Sequence, residues 1–147
     1  MSRLLLDASA YSAMRWGDER LLRPMREASG ILLTPVVIGE LLYGFVGGGL
    51  TEQNRELLRE FLDSERVDVL AVDADTAERY AVIRDHLRRQ GVPIPANDLW
   101  IAASAAQHLL VLLTLDGHLK NVPQVLVEYR AGQRGSRCRR CSNCRRR

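Results

Sequence analysis

An α/β fold, with a central, mostly parallel β-sheet flanked by α-helices, is predicted by three observations. Short, largely apolar runs recur along the chain, at residues 4–6, 31–34, 67–72 (where apolar residues alternate with Asp68), 111–115 and 124–127. Longer segments with apolar residues three and four apart separate them. Acidic residues stand close to the points where the runs end, among them Asp7 and Asp116. Strands covered by helices on both faces read as continuous apolar runs rather than alternating ones, which favours a buried parallel sheet.

Each element follows from local signals. Residues 3–6 are Leu-rich and end at Asp7. Ser9 reads as the N-cap of a helix to about residue 16, and Asp18 as the cap of another to about residue 28. Ser29-Gly30 breaks the chain before the second strand. Thr34-Pro35 then puts a capping hydroxyl before a proline at the first helical position. That helix carries Val36, Glu40, Tyr43 and Phe45 and stops at Gly47-Gly48-Gly49. Thr51 starts a helix whose Leu57, Leu58, Phe61 and Leu62 form one apolar stripe. After the strand at 67–72, Asp73 caps a long helix to about residue 90, with Ala77, Tyr80, Ala81 and Leu87 on one face. Gly91, Pro93 and Pro95 end it. A small-residue helix follows from Asp98, striped by Leu99, Ala102, Ala103, Ala106 and Leu110, before the last two strands.

A chain of 147 residues suits a single domain with one core. Its apolar runs all fall well short of the roughly 18 residues of a membrane span, so no membrane partner is expected. Arg3 and a short apolar run lead directly to Asp7, which leaves no room for a secretory segment; a cytoplasmic location is expected. The net charge of +3 is unevenly divided: residues 130–147 hold eight of the 21 basic residues and none of the 18 acidic ones, leaving residues 1–129 at −5. Phosphate binding would therefore fall to the basic segment or to a local patch, not to the body as a whole. The expected organisation is one domain over residues 1–129 and a disordered Arg/Cys-rich tail over 130–147. In that tail, Cys138, Cys141 and Cys144 have a spacing that suits zinc but supply only three ligands. Metal capture and nucleic-acid contact are both open roles for it.

Four carboxylates, Asp7, Glu40, Asp98 and Asp116, fall at the expected carboxyl edge of the sheet or in a helix following a strand. In open parallel sheets ligands bind at that edge. Each carboxylate alone also reads as a cap or turn residue, Asp98 in particular as a cap of the turn beginning at Leu99. Glu40 differs, since Val37, Ile38, Leu41 and Leu42 surround it in sequence: it is either solvent-facing or buried with a cation or hydrogen-bond partner. Carboxylates pressed together repel unless a cation neutralises them. Mg2+ or Mn2+ suits an all-oxygen set, and such sites catalyse displacement at phosphorus. Ligand count leaves one or two ions open. His86 and His108 read as surface residues, whereas His118, two residues past Asp116, has room for a peripheral role. Gly47-Gly48-Gly49 lacks the Lys-Ser/Thr of a phosphate loop.

Four segments then resemble the PIN-domain toxins of the VapC family: Leu5-Leu6-Asp7-Ala8-Ser9, Ile38-Gly39-Glu40-Leu41-Leu42-Tyr43-Gly44, Pro95-Ala96-Asn97-Asp98-Leu99-Trp100-Ile101-Ala102-Ala103 and Leu113-Thr114-Leu115-Asp116. They occur in the family's order and spacing over residues 1 to about 128. The resemblance implies a PIN-like fold and a Mg2+- or Mn2+-dependent ribonuclease, the toxin of a type II toxin–antitoxin system, with RNA as substrate and a cognate antitoxin as partner. It carries the catalytic and metal-binding roles to Asp7, Glu40, Asp98 and Asp116, one of which helps deprotonate the attacking water, and supporting roles to Ser9 and Thr114. The departure is Gly117-His118-Leu119, where an aspartate or phenylalanine often follows the fourth acid. The helices at 35–46 and 51–64 are candidate faces for an antitoxin helix or for a second copy in a homodimer. Two rivals remain: a non-catalytic PIN module that binds RNA or protein, and a phosphoacceptor domain. The second lacks a paired Asp-Asp at the first strand, and its sole lysine, Lys120, follows a turn.

Overall fold

The computed structural model describes residues 2–130. The basic tail expected from residue 130 onward, with its three cysteines, lies outside the described residues except for Arg130. Among the described residues, six α-helices flank a five-stranded sheet in the order β3-β2-β1-β4-β5. The strands are β1 (Arg3–Leu6), β2 (Gly30–Leu33), β3 (Val67–Val69), β4 (Val111–Thr114) and β5 (Leu126–Tyr129), and every pairing is parallel. The expectation of a mostly parallel sheet becomes a wholly parallel one. Two strands shift: β3 stops three residues early, and β5 begins two residues late. Both are edge strands, each held by one neighbour, so their ends depend on the pairing rather than on local apolar content.

Leu5, Leu6, Leu33, Leu112 and Leu113 are completely buried, as expected of strands covered on both faces. The helices are α1 (Ala8–Arg15), α2 (Glu19–Glu27), α3 (Pro35–Phe45), α4 (Thr51–Leu62), α5 (Ala74–Arg89) and α6 (Ala96–His108). Their starts obey the local code: Asp18 caps α2, Thr34 caps α3 ahead of Pro35, and Asp73 and Thr76 form a reciprocal capping box on α5. Gly47 lies at φ +79°, a left-handed turn that ends α3. The Thr51 hydroxyl then donates to the carbonyls of Phe45 and Gly48, tying that turn to α4.

Two helix assignments change. Asp7, not Ser9, is the N-cap of α1. The face that α5 buries is Thr76, Ile83 and Leu87, while Ala77 and Ala81 are exposed. Thr76 enters the interior because Asp73 and Gln107 satisfy its hydroxyl, which apolar periodicity cannot register. His86 and His108 are half-buried rather than surface residues. None of the helices among the described residues is long and apolar enough to cross a membrane.

The strand order locates the site. From β1 the chain steps outward on one side to β2 and β3, then returns across β1 to place β4 and β5 on the other. The direction of winding therefore reverses between β1 and β4, and a crevice opens at the carboxyl ends of strands where that occurs. Asp7 follows β1 directly, and Asp116 follows β4 by two residues.

Candidate active site

Asp7 is the last extended residue before α1, and it is 4% exposed. Its Oδ1 accepts from the Ser9 amide (2.6 Å), the Ser9 hydroxyl (2.6 Å) and the Ala10 amide (3.1 Å), and Oδ2 accepts from the Thr114 hydroxyl. Each hydroxyl is itself fixed by an amide: Leu115 donates to Ser9 Oγ at 3.0 Å, and Asp116 to Thr114 Oγ1 at 2.8 Å. Each hydroxyl has one hydrogen, and both are directed at Asp7. The two supporting residues thus join the end of β4 to the start of α1 and hold the carboxylate between them. Three donors occupy Oδ1, while Oδ2 retains lone-pair capacity for a further partner.

Asp98 does not cap a helix. The helix α6 begins at Ala96, Pro95 is its N-cap without a side-chain bond, and Asp98 is the third helical residue. Its side chain turns inward because α6 buries an almost continuous surface of small residues. Ala102, Ala103 and Ala105 are at most 1% exposed, so the helix packs closely. The Asp98 carboxyl is pushed up to about 6. Burial is the principal cause, followed by repulsion from Asp116, Asp7 and Glu40, with His118 opposing. Asp98 therefore feels the charge of each of the other three sequence-predicted carboxylates.

Asp116 caps a short 3-10 helix, Gly117–Asn121, accepting from the His118 amide at 2.8 Å. His118 Nδ1 lies 3.1 Å from Asp116 Oδ1 and 4.0 Å from Asp98 Oδ2. One ligand atom from each of Asp98, Asp116 and His118 falls within 4.8 Å of the others. Glu40 is half-buried on α3, where packing against α6 brings Asn97 Nδ2 within 3.0 Å of its Oε1. The environment of Glu40 is thus intermediate between the two alternatives: partly exposed, with one side-chain partner. Sequence reasoning assigned no role to Asn97, and its only signal was its place beside Asp98 in the third motif. His118 was foreseen only as peripheral, and it sits against two of the acids.

The donor set fits a divalent cation. Carboxylate oxygens predominate, one imidazole nitrogen is in reach, and the raised Asp98 is the response expected of a crowded acid without a counter-charge. A cavity of about 780 Å3 lies elsewhere, between α2 and the β5 edge, and none of the four carboxylates lines it. Its wall mixes Glu19, Glu27 and Glu128 with Arg20, Arg23 and Arg130 and holds no nucleophile–base pair. Chemistry therefore points to the carboxylate site.

Comparisons with known proteins give a consistent result. The sequence profile of the PIN domain matches residues 4–125. Ribonuclease VapC5 of Mycobacterium tuberculosis is 35% identical over 115 residues, which is 76% of this chain and 82% of that protein. The solved structure of VapBC-5 from the same organism, a member of the VapBC family of toxin–antitoxin systems, superposes with a TM-score of 0.67 at 26% identity, over 88% of this chain and 99% of that one. VapBC2 from Rickettsia felis, bound to a DNA fragment from its promoter, gives 0.76 at 24% identity over 86% and 98%, a likeness of fold.

Proposed function

We propose, because the chain belongs to the PIN-domain family and to its VapC ribonucleases, that it is the toxin of a type II toxin–antitoxin system. It is an endoribonuclease that hydrolyses RNA phosphodiester bonds and is neutralised by a cognate antitoxin. The observation that carries the reading is the grouping of buried Asp7 and Asp98 with Asp116 and Glu40 at the point where the sheet reverses its winding.

In this reading Asp7, Asp98 and Asp116, with Glu40 at the margin, hold Mg2+ or Mn2+. The bound cation supplies positive charge against the phosphoryl oxygens and stabilises the displacement. Ser9 and Thr114 keep Asp7 oriented through their fixed hydroxyls. Glu40, with a single side-chain partner and partial exposure, would accept the proton of the water whose oxygen bonds to phosphorus; as the bond from phosphorus to the ribose oxygen breaks, that oxygen takes a proton from solvent, to which Glu40 returns its own.

The antitoxin surface in this reading lies across α1, α3 and α4. There a groove of about 260 Å3 is lined by Tyr11, Trp16, Phe45, Leu50 and Leu57, and Trp16 is 74% exposed. An amphipathic helix of the antitoxin would bury that apolar surface. A homodimer, a cytoplasmic location and a domain boundary near residue 129 with a basic tail beyond it complete the proposal; sedimentation of the purified chain tests the dimer. RNA cleavage by wild type with Mg2+, with Mn2+ and with EDTA, beside Asp7→Ala and Asp98→Ala, tests the enzyme. Each substitution should cost at least about 100-fold, and cleavage by the variants at the wild-type rate would overturn the assignment. A non-catalytic PIN module would bind RNA and cleave none.

A further inference from the structure

The short 3-10 helix after β4 brings an imidazole into a site otherwise built from oxygen. We propose that His118 is a nitrogen ligand of the cation site, and that this ligand makes the site select a first-row transition ion such as Mn2+ over Mg2+. The inference rests on the cation site proposed above and adds to it a ligand and a selectivity.

Spacing is the first support. An octahedral ion with bonds of about 2.1 Å holds neighbouring ligand atoms about 3.0 Å apart and opposite ones about 4.2 Å apart. His118 Nδ1 is 3.1 Å from Asp116 Oδ1 and 4.0 Å from Asp98 Oδ2, so the imidazole lies at distances from both acids that one ion can span, and one ligand atom from each of the three residues falls within 4.8 Å of the others. Rigidity is the second. The His118 amide donates to Asp116 Oδ1 at 2.8 Å, and the Asp116 amide donates to Thr114 Oγ1 at 2.8 Å. Leu119 and Val122, immediately after, are buried in the core. Backbone bonds and core packing therefore hold the segment that carries the imidazole. Ligand chemistry is the third: Mg2+ favours oxygen and retains its waters, whereas an imidazole nitrogen suits transition ions better. The competing description is a surface His–Asp ion pair, since the His118 side chain is 60% exposed.

The test uses the full chain with Mn2+ and with Mg2+ as probes. Pulsed electron paramagnetic resonance of the Mn2+ complex should show nitrogen coupling in wild type and none in His118→Ala. By calorimetry, wild type should bind Mn2+ at least about tenfold more tightly than Mg2+. His118→Ala should lose about tenfold in Mn2+ affinity and less than about twofold in Mg2+ affinity. An unchanged melting temperature for His118→Ala in EDTA would exclude unfolding as the cause. Mn2+ binding without nitrogen coupling, or equal losses for both ions, would overturn the role of His118 and leave the nuclease reading standing. A wild-type chain that binds no Mn2+, or an Asp98→Ala variant that binds it equally well, would remove the cation site and this inference together.

Discussion

At its C-terminal end α6 meets a carboxylate that folding has satisfied, and at its N-terminal end it carries one that folding has crowded. Gln107, near the end of α6, donates to Asp73 Oδ1 at 3.0 Å while the Thr76 amide donates to the same atom at 3.0 Å. Those bonds hold the Asp73 carboxyl below the usual carboxylate range, the Thr76 amide contributing most. Asp98 experiences the reverse, with burial and three neighbouring acids pushing it up to about 6. Both residues stand near helix N-termini, where the backbone favours negative charge. What separates them is burial first and company second: Asp73 is exposed among donors, and Asp98 is buried among other anions. A satisfied carboxylate serves stability, whereas a crowded one is a place for a cation.

The sharpest break of that contrast is Asp98→Asn. A carboxyl whose folded pKa is raised contributes stability that is complete below its unfolded value near 3.8 and lost as pH rises through about 6. In EDTA at pH 8 the Asn variant should therefore outlast wild type by about 1–3 kcal/mol in urea denaturation. At pH 4 the two should converge. Wild type should recover the deficit on adding Mn2+, and the variant should not. An Asn variant less stable than wild type at pH 8 would show that Asp98 is not crowded.

Smaller effects refine the comparison. Thr114→Val keeps the volume of a completely buried side chain but removes the hydroxyl that orients Asp7, so RNA cleavage should fall by about tenfold with secondary structure retained. Asn97→Ala leaves Glu40 without its side-chain donor, and the loss in cleavage should stay below about tenfold. Asp73→Ala should behave in the opposite way to Asp98→Asn, lowering the melting temperature by a few degrees while leaving cleavage and Mn2+ binding unchanged. The lowered Asp73 carboxyl contributes its stability above its unfolded pKa and loses it as pH falls through the folded value, so the penalty should shrink in acid.

Reading the sequence succeeded where the signal is local. Thr34-Pro35, Asp18 and Asp73 cap the helices they were expected to cap, because a side chain bonding to an amide two or three residues away needs no distant partner. Local signals misled where distant residues set the burial of a polar group. Thr76 joins the buried face of α5 through Gln107, and Asp98 is buried within α6 rather than capping it. The position of Ser9 shows both sides: its local sequence suggested a cap, which Asp7 supplies instead, while its hydroxyl donates to Asp7 and accepts from the Leu115 amide, a contact of the supporting kind that the resemblance implied.

By itself the sequence determined the alternation of strand and helix, the continuous apolar character of the strands and the identity of the four acids, since periodicity and residue type are properties of neighbours along the chain. The tertiary structure alone decided the order β3-β2-β1-β4-β5, the crowding of Asp98 and the approach of His118 and Asn97 to the acids. Residues 7, 40, 98 and 116 become neighbours only when β1 and β4 pair and α6 packs its small face inward. That proximity is a consequence of long-range burial: local pattern placed the acids at one edge of the sheet, and only pairing and packing made them neighbours.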